Sequence, residues 1–247
     1  QRANVAMVLG YVGDGRAAAA LSLIAATDSD GKVQRAATKA AASCGASGSS
    51  QAQYLALGED YYYRRDNVLR SFDYSDVTWS WEDGDLRSSA IPRPIYHSAL
   101  SKRAYMAALG QAVTNSTEAL AGVARAALDM STRLNRLADS GEDIGDYQSA
   151  ADSGPMIAAS CGVEALDNAL YWCVNVSDDP DTGAALAQVL DLASQLVIVV
   201  QANNLVCAAN ADAIDQHVGH RAAARLGLEQ VLKFRAQRVL IQLDDKR

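Results

Sequence analysis

Bulky side chains and excess positive charge are both scarce in this chain. Its 247 residues include only two Phe, three Trp, three His and four Pro. Apolar residues still make up 49%, which excludes an intrinsically disordered composition. Alanine dominates that fraction. It favours helix and lets helices approach closely, but each methyl buries little area. A core of this kind depends on long contacts between helices rather than on a few large groups. A chain of this length can bury such a core without metal or disulfide staples.

Lys and Arg total 22 against 29 Asp and Glu, a formal charge of −7. Phosphate backbones require a basic surface, so nucleic acid is excluded as the main partner. No run of about 18 apolar residues occurs, so no transmembrane segment is expected. The most apolar stretch, Leu186 to Val206, is broken by Gln188, Asp191, Gln195, Gln201, Asn203 and Asn204 and reads as a buried helix.

The four cysteines, at 44, 161, 173 and 207, form no C-x-x-C and no Cys/His cluster, so a structural zinc site is not expected. Cys161 and Cys173 read as parts of one helix, roughly 18 Å apart and too far to bridge. Buried free thiols are the simplest reading. The G-x-S-x-G, G-x-x-x-x-G-K-[ST] and Cys/His catalytic signatures are missing. The Glu-x-x-His pairs of di-iron bundles are missing too. His217 and His220 share a helix face, with a surface or interface role as the default. No catalytic residue, metal ligand or cofactor is assigned, and no motif is specific enough to name a family.

What is present is helix patterning. Residues 1–71 read as an Ala-rich helical region, with breaks near Gly10–Gly15, Thr27–Gly31 and Gly45–Ser50. Ser50 is a candidate N-cap for a helix reaching about Ser71. Asp28-Ser29-Asp30-Gly31 resembles the start of a calcium loop but lacks the later ligands, so a turn is expected. Asp178, Asp179 and Asp181 likewise suit a turn before a helix. Residues 72–95 form an irregular aromatic and Pro segment. There Val77, Trp79 and Trp81 alternate with polar residues before Glu82-Asp83-Gly84, so an aromatic loop or short hairpin is expected.

Residues 96–247 read as a long helical bundle. Positions 106, 109, 113, 116, 120, 123, 127, 130, 134 and 137 alternate steps of three and four, with Ser116 the polar exception. This predicts one coiled-coil-like helix. Ser140 and Asp143 resemble a capping box for a second helix reaching Val174, kinked at Gly154-Pro155. A third, starting near Thr182 and extending to about 243, carries the same rhythm over 186–218, broken by Asn204. Short turns force antiparallel neighbours, so the expected fold is all-α, with an elongated antiparallel three-helix bundle over about 96–243. The pentapeptide Ala41–Gly45 recurs as Ala158–Gly162, either a coincidence of composition or a trace of duplication with matched thiol sites.

Two regions read as contact surfaces. Arg221, Arg225, Lys233, Arg235 and Arg238 face a single Glu229 on an acidic chain, which suits docking to an acidic patch. Trp79 and Trp81 belong to an aromatic region from Tyr61 onward, of residue types that serve in binding or in packing. The expected function is a non-enzymatic structural or interaction component of a larger assembly, of the secretion, conjugation or virion type, with a protein partner or self-association. One alternative is a helical carrier of a pigment or apolar ligand, linked through Cys44 or Cys161. Another is a metal-dependent helical enzyme. The chain opens at Gln1-Arg2-Ala3 without Met, which suggests processing or export, although trimming would look the same. The sequons at Asn115 and Asn175 add little to that expectation.

Overall fold

A computed structural model describes residues 1–69, 77–82, 84–112, 116–176 and 179–211, with the backbone alone for residues 81, 82 and 196–211. The described chain is all-α apart from one hairpin. Its helices are α1 (Arg2–Val12), α2 (Ala18–Thr27), α3 (Gly31–Ser43), α4 (Ser50–Tyr62), α5 (Tyr96–Leu109), α6 (Thr117–Asp139), α7 (Gln148–Ser160), α8 (Val163–Asn175) and α9 (Pro180–Ala211).

The N-terminal helices break where short polar side chains cap the next helix. Asp30 accepts a hydrogen bond from the Lys32 N–H and starts α3. Asp28 accepts from the Asp30 N–H and pairs with Arg2, so the Asp28–Gly31 segment is a turn. The α4 cap is Ser49 rather than Ser50, because its Oγ accepts from the Ala52 N–H. Ala6, Ala18, Leu21, Ala37, Ala40 and Cys44 form the core of this region. A Cβ on Gly10 would lie 2.8 Å from Ala40, so α1 and α3 touch backbone to backbone.

The pentapeptide repeat has a local explanation. Each copy ends a helix, with Cys44 or Cys161 at the C-cap and Gly45 (φ 78) or Gly162 (φ 87) in the left-handed conformation. Ser43 and Ser160 return their hydroxyls to carbonyls of the preceding turn. It is a shared stop signal; the two thiols do not meet, and neither Cys44 nor Cys161 forms a disulfide.

Strands β1 (Val77–Glu82) and β2 (Asp85–Ala90) pair antiparallel, with Trp79 opposite Ser88 and Glu82 opposite Asp85. Gly84, at φ 89, provides the positive φ that a tight hairpin turn requires.

Beyond the hairpin, two of the three long helices expected from sequence are broken, while the third runs unbroken from Pro180 to Ala211, the last described residue. The one expected over 106–137 is two, because α5 ends at Leu109 with Gly110 as its cap and α6 begins after Ser116, which N-caps it through the Ala119 N–H. The polar exception in the seam is thus the new helix's start signal. Ser140 and Asp143 form no capping box. Ser140 closes α6 by donating to the Leu137 carbonyl, and Asp143 accepts from Gly145 ahead of a 3-10 turn. The helix expected to reach Val174 stops at Cys161-Gly162 and restarts as α8, which places Cys161 and Cys173 on different helices. Pro155 lies inside α7 without ending it.

Helix α6 is the centre of this part of the molecule, packed against α4, α5, α7, α8 and α9. From Ala121 to Ser131 it is buried on every face, wider than a coiled-coil stripe, because its many Ala residues let five neighbours approach. Two cores flank it. Leu128, Leu166, Leu170, Cys173, Leu186 and Val189 join α6, α8 and α9, while Ile91, Ile95, Met130, Leu134 and Ile144 pack under the segment that follows the hairpin.

Candidate functional site

One face of α6 is not apolar. Arg125, Asp129 and Arg133 follow one another at spacings of four, so they stack along one side of the helix. Arg125 and Asp129 are each only 2% exposed. A charge buried this deeply requires partners.

Arg125 obtains them from α4 and α5. Its Nη2 donates to Glu59 Oε1 at 2.5 Å and to the Tyr105 hydroxyl at 2.8 Å. The Tyr105 hydroxyl in turn donates to Glu59 at 2.6 Å. The guanidinium lies 4.3 Å from the Tyr62 ring centroid and 5.5 Å from that of Trp172. Burial disfavours its charge, but Tyr105 and Glu59 outweigh that and hold the Arg125 pKa above its ordinary value. The Tyr105 ring lies in a slot made by glycines. A Cβ would come 2.8 Å from it at Gly58 and 2.5 Å at Gly122.

Asp129 gathers a second cluster. It accepts from Ser98 Oγ, and from Arg133 Nε at 2.8 and 2.9 Å. His97 Nε2 lies 3.3 Å from the same carboxylate. Thr182 at the start of α9 approaches it at 3.5 Å. Burial alone would raise this carboxyl; the hydrogen bonds and charges of His97, Ser98 and Arg133 outweigh it and leave the pKa below normal. Burial pushes the His97 imidazole below 6.5, against the opposing pull of Asp129, so the ring is neutral at pH 7.

His97, Asp129 and Arg133 border a cavity of about 320 Å³ whose other lining residues are Tyr62, Tyr63, Arg64, Asp179, Pro180 and Asp181. Its rim follows from where two helices stop and start. Helix α4 was expected to reach about Ser71 but ends at Tyr62. Arg64 takes a left-handed conformation (φ 51), the one non-glycine residue to do so among the described residues. Asp179 N-caps α9 through the Thr182 N–H and accepts from the Tyr62 hydroxyl at 3.2 Å. Asp181 pairs with Arg136 at 2.6 Å.

Ser98, His97 and Asp129 have the residue types of a hydrolytic triad but not its geometry. The Ser98 hydroxyl donates to Asp129 itself and is fully buried, so it presents no nucleophile. Neither Cys44 nor Cys161 borders the cavity; their thiols donate to the carbonyls of Leu9 and Ile157.

The surface residues singled out by sequence fare differently. Arg221, Arg225, Lys233, Arg235 and Arg238, with His217 and His220, lie outside the described residues, as does the Trp81 side chain. Trp79 is exposed on the hairpin, where its carbonyl accepts from Arg103. Tyr62 and Tyr63 pack around Arg125. No helix among the described residues is long and apolar enough to cross a membrane.

A second surface feature lies on the N-terminal helix. Helix α1 is apolar nearly all round, a pattern that belongs to a covered helix. Ala6 and Gly10 face α3, yet Val5, Val8, Leu9 and Val12 are exposed along the opposite side, with Val8 at 59% and Val12 at 67%. Met7 and Tyr11 border a shallow groove of about 150 Å³ between α1 and α3. Searches against known families, characterised proteins and solved structures found no match to this chain.

Proposed function

We propose that this chain is an interaction component of a helical assembly and that it associates with a second copy of itself through α1. The observation that carries this reading is the uncovered aliphatic stripe of Val5, Val8, Leu9 and Val12. Aliphatic side chains aligned on one helix face lose free energy to water, roughly 25 cal/mol per Å² of apolar surface, until something covers them. The stripe carries no charge. The charged groups that flank its two ends are paired, Arg2 with Asp28 and Asp14 with Arg16. A surface without charge has no sign to match in a partner, and it is complementary to itself. Two copies meeting across a two-fold axis would cover the same stripe on both sides.

One helix of eleven residues offers a small contact, which suits reversible association. Hydrogen exchange at the α1 amides tests it, read at low and high protein concentration. Self-association predicts slower exchange in α1 at high concentration, with α6 unchanged. Identical α1 exchange at both concentrations overturns the reading.

A further inference from the structure

We propose that the cavity between α4, α5, α6 and the start of α9 binds an oxyanion, the phosphate or carboxylate group of a small molecule, between Arg64 and Arg133. Both arginines border it. Arg64 has no carboxylate in contact among the described residues; its hydrogen-bonding neighbour is the neutral His97, 3.5 Å away. Arg133 spends only its Nε on Asp129, and its two terminal nitrogens make no hydrogen bond among the described residues. Two guanidinium groups with unused donors therefore border one space. Planar N–H forks of this kind match phosphate and carboxylate oxygens.

The carboxylates that border the same cavity are already engaged. Asp129 holds Ser98, Arg133 and His97, Asp179 holds Tyr62 and the α9 N-terminus, and Asp181 holds Arg136. Burial first, and then the charge of Arg133, lower the pKa of Arg64. An anion seated between the two guanidinium groups relieves that repulsion. The left-handed backbone of Arg64 is disfavoured for a side-chain-bearing residue, and here it places a guanidinium at the cavity. The volume, about 320 Å³, accommodates a small molecule.

Titration calorimetry of the full chain tests the site, with inorganic phosphate and succinate each compared with sodium chloride at equal ionic strength. At least one should bind with a Kd of about 1 mM or tighter. Binding of either supports the site, and the tighter of the two names the source of the oxyanion. Arg64→Gly removes the guanidinium while favouring the left-handed backbone, so the variant should fold and yet bind at least about tenfold more weakly. Arg133→Gln, checked for folding by circular dichroism, should weaken binding in the same direction. Absence of binding by both anions, or affinity unchanged in Arg64→Gly, overturns the proposal.

Discussion

Ser131 on α6 donates its hydroxyl to the carbonyl of Ala151 on α7, at 2.5 Å. That carbonyl would normally accept from the residue four positions on, which is Pro155 and has no N–H. The hydroxyl of a neighbouring helix thus replaces a backbone bond that the proline removes. Gly154 permits the approach, because a Cβ there would lie 2.5 Å from Ser131 Cβ. Ser131→Ala should strand a buried carbonyl and cost about 1–3 kcal/mol in urea unfolding. In a Pro155→Ala background the helix supplies its own donor, and the same substitution should cost clearly less. Equal costs in both backgrounds would show that the two positions are not coupled.

The Tyr105 slot gives a second outcome. Gly122→Ala places a methyl where the ring lies and should destabilise by about 1–3 kcal/mol, although alanine is the better helix former. In a Tyr105→Leu background, where the ring is gone, the same substitution should cost less. A Gly122→Ala protein as stable as wild type would mean that the ring moves aside without cost.

Removing the partner of Arg125 should cost more. Glu59→Gln leaves a guanidinium that is 2% exposed with weaker acceptors. The expected loss is about 3 kcal/mol, the lower end for a broken buried pair, because Glu59 keeps some contact with water. Arg125→Met together with Glu59→Gln should lose less than Glu59→Gln alone, since no buried charge is then stranded. Chemical denaturation of the two variants checks the order.

His97 sets an acid response. Burial holds its folded pKa below 6.5, so the unfolded chain takes up a proton that the folded chain refuses. Stability should therefore fall as pH drops below about 6.5 toward the folded value. Asp129, held below 3.8 in the fold, adds a second loss in the same direction at lower pH. His97→Gln should flatten the first of these steps. Urea midpoints between pH 8 and pH 5 would show it, and equal slopes for both proteins would remove His97 as the cause.

Much of the helical order was legible locally, and the cavity was not. Caps and turns are short-range chemistry, so the turn at Asp28–Gly31, the alternation of β1 and the buried positions Val123, Ala127, Met130 and Leu134 were readable from residue type and spacing. The same rhythm misled at Ser116, and the Gly162 stop was passed over in a helix that carries no regular seam. A period continues across a break whenever the interrupted helices keep their phase, and the caps were weaker signals than the seam. The cavity draws Tyr62 and Arg64, His97, Asp129 and Arg133, and Asp179 from four separate stretches of chain. No spacing rule links them. One signal was present: Arg125, Asp129 and Arg133 fall on one side of a helix whose other sides are apolar, and burial on all sides then forces partners from α4 and α5.

Sedimentation of wild-type protein and Val8→Asp over a range of concentrations tests the proposed self-association most directly. A charge at Val8, in the middle of the exposed stripe, should block pairing without touching the α1–α3 contact. The account predicts that the wild type moves from 26.1 kDa toward twice that mass as concentration rises, while Val8→Asp stays at the single-chain mass. A wild-type protein that keeps the single-chain mass at hundreds of micromolar, or a Val8→Asp variant that pairs as well as wild type, would contradict it.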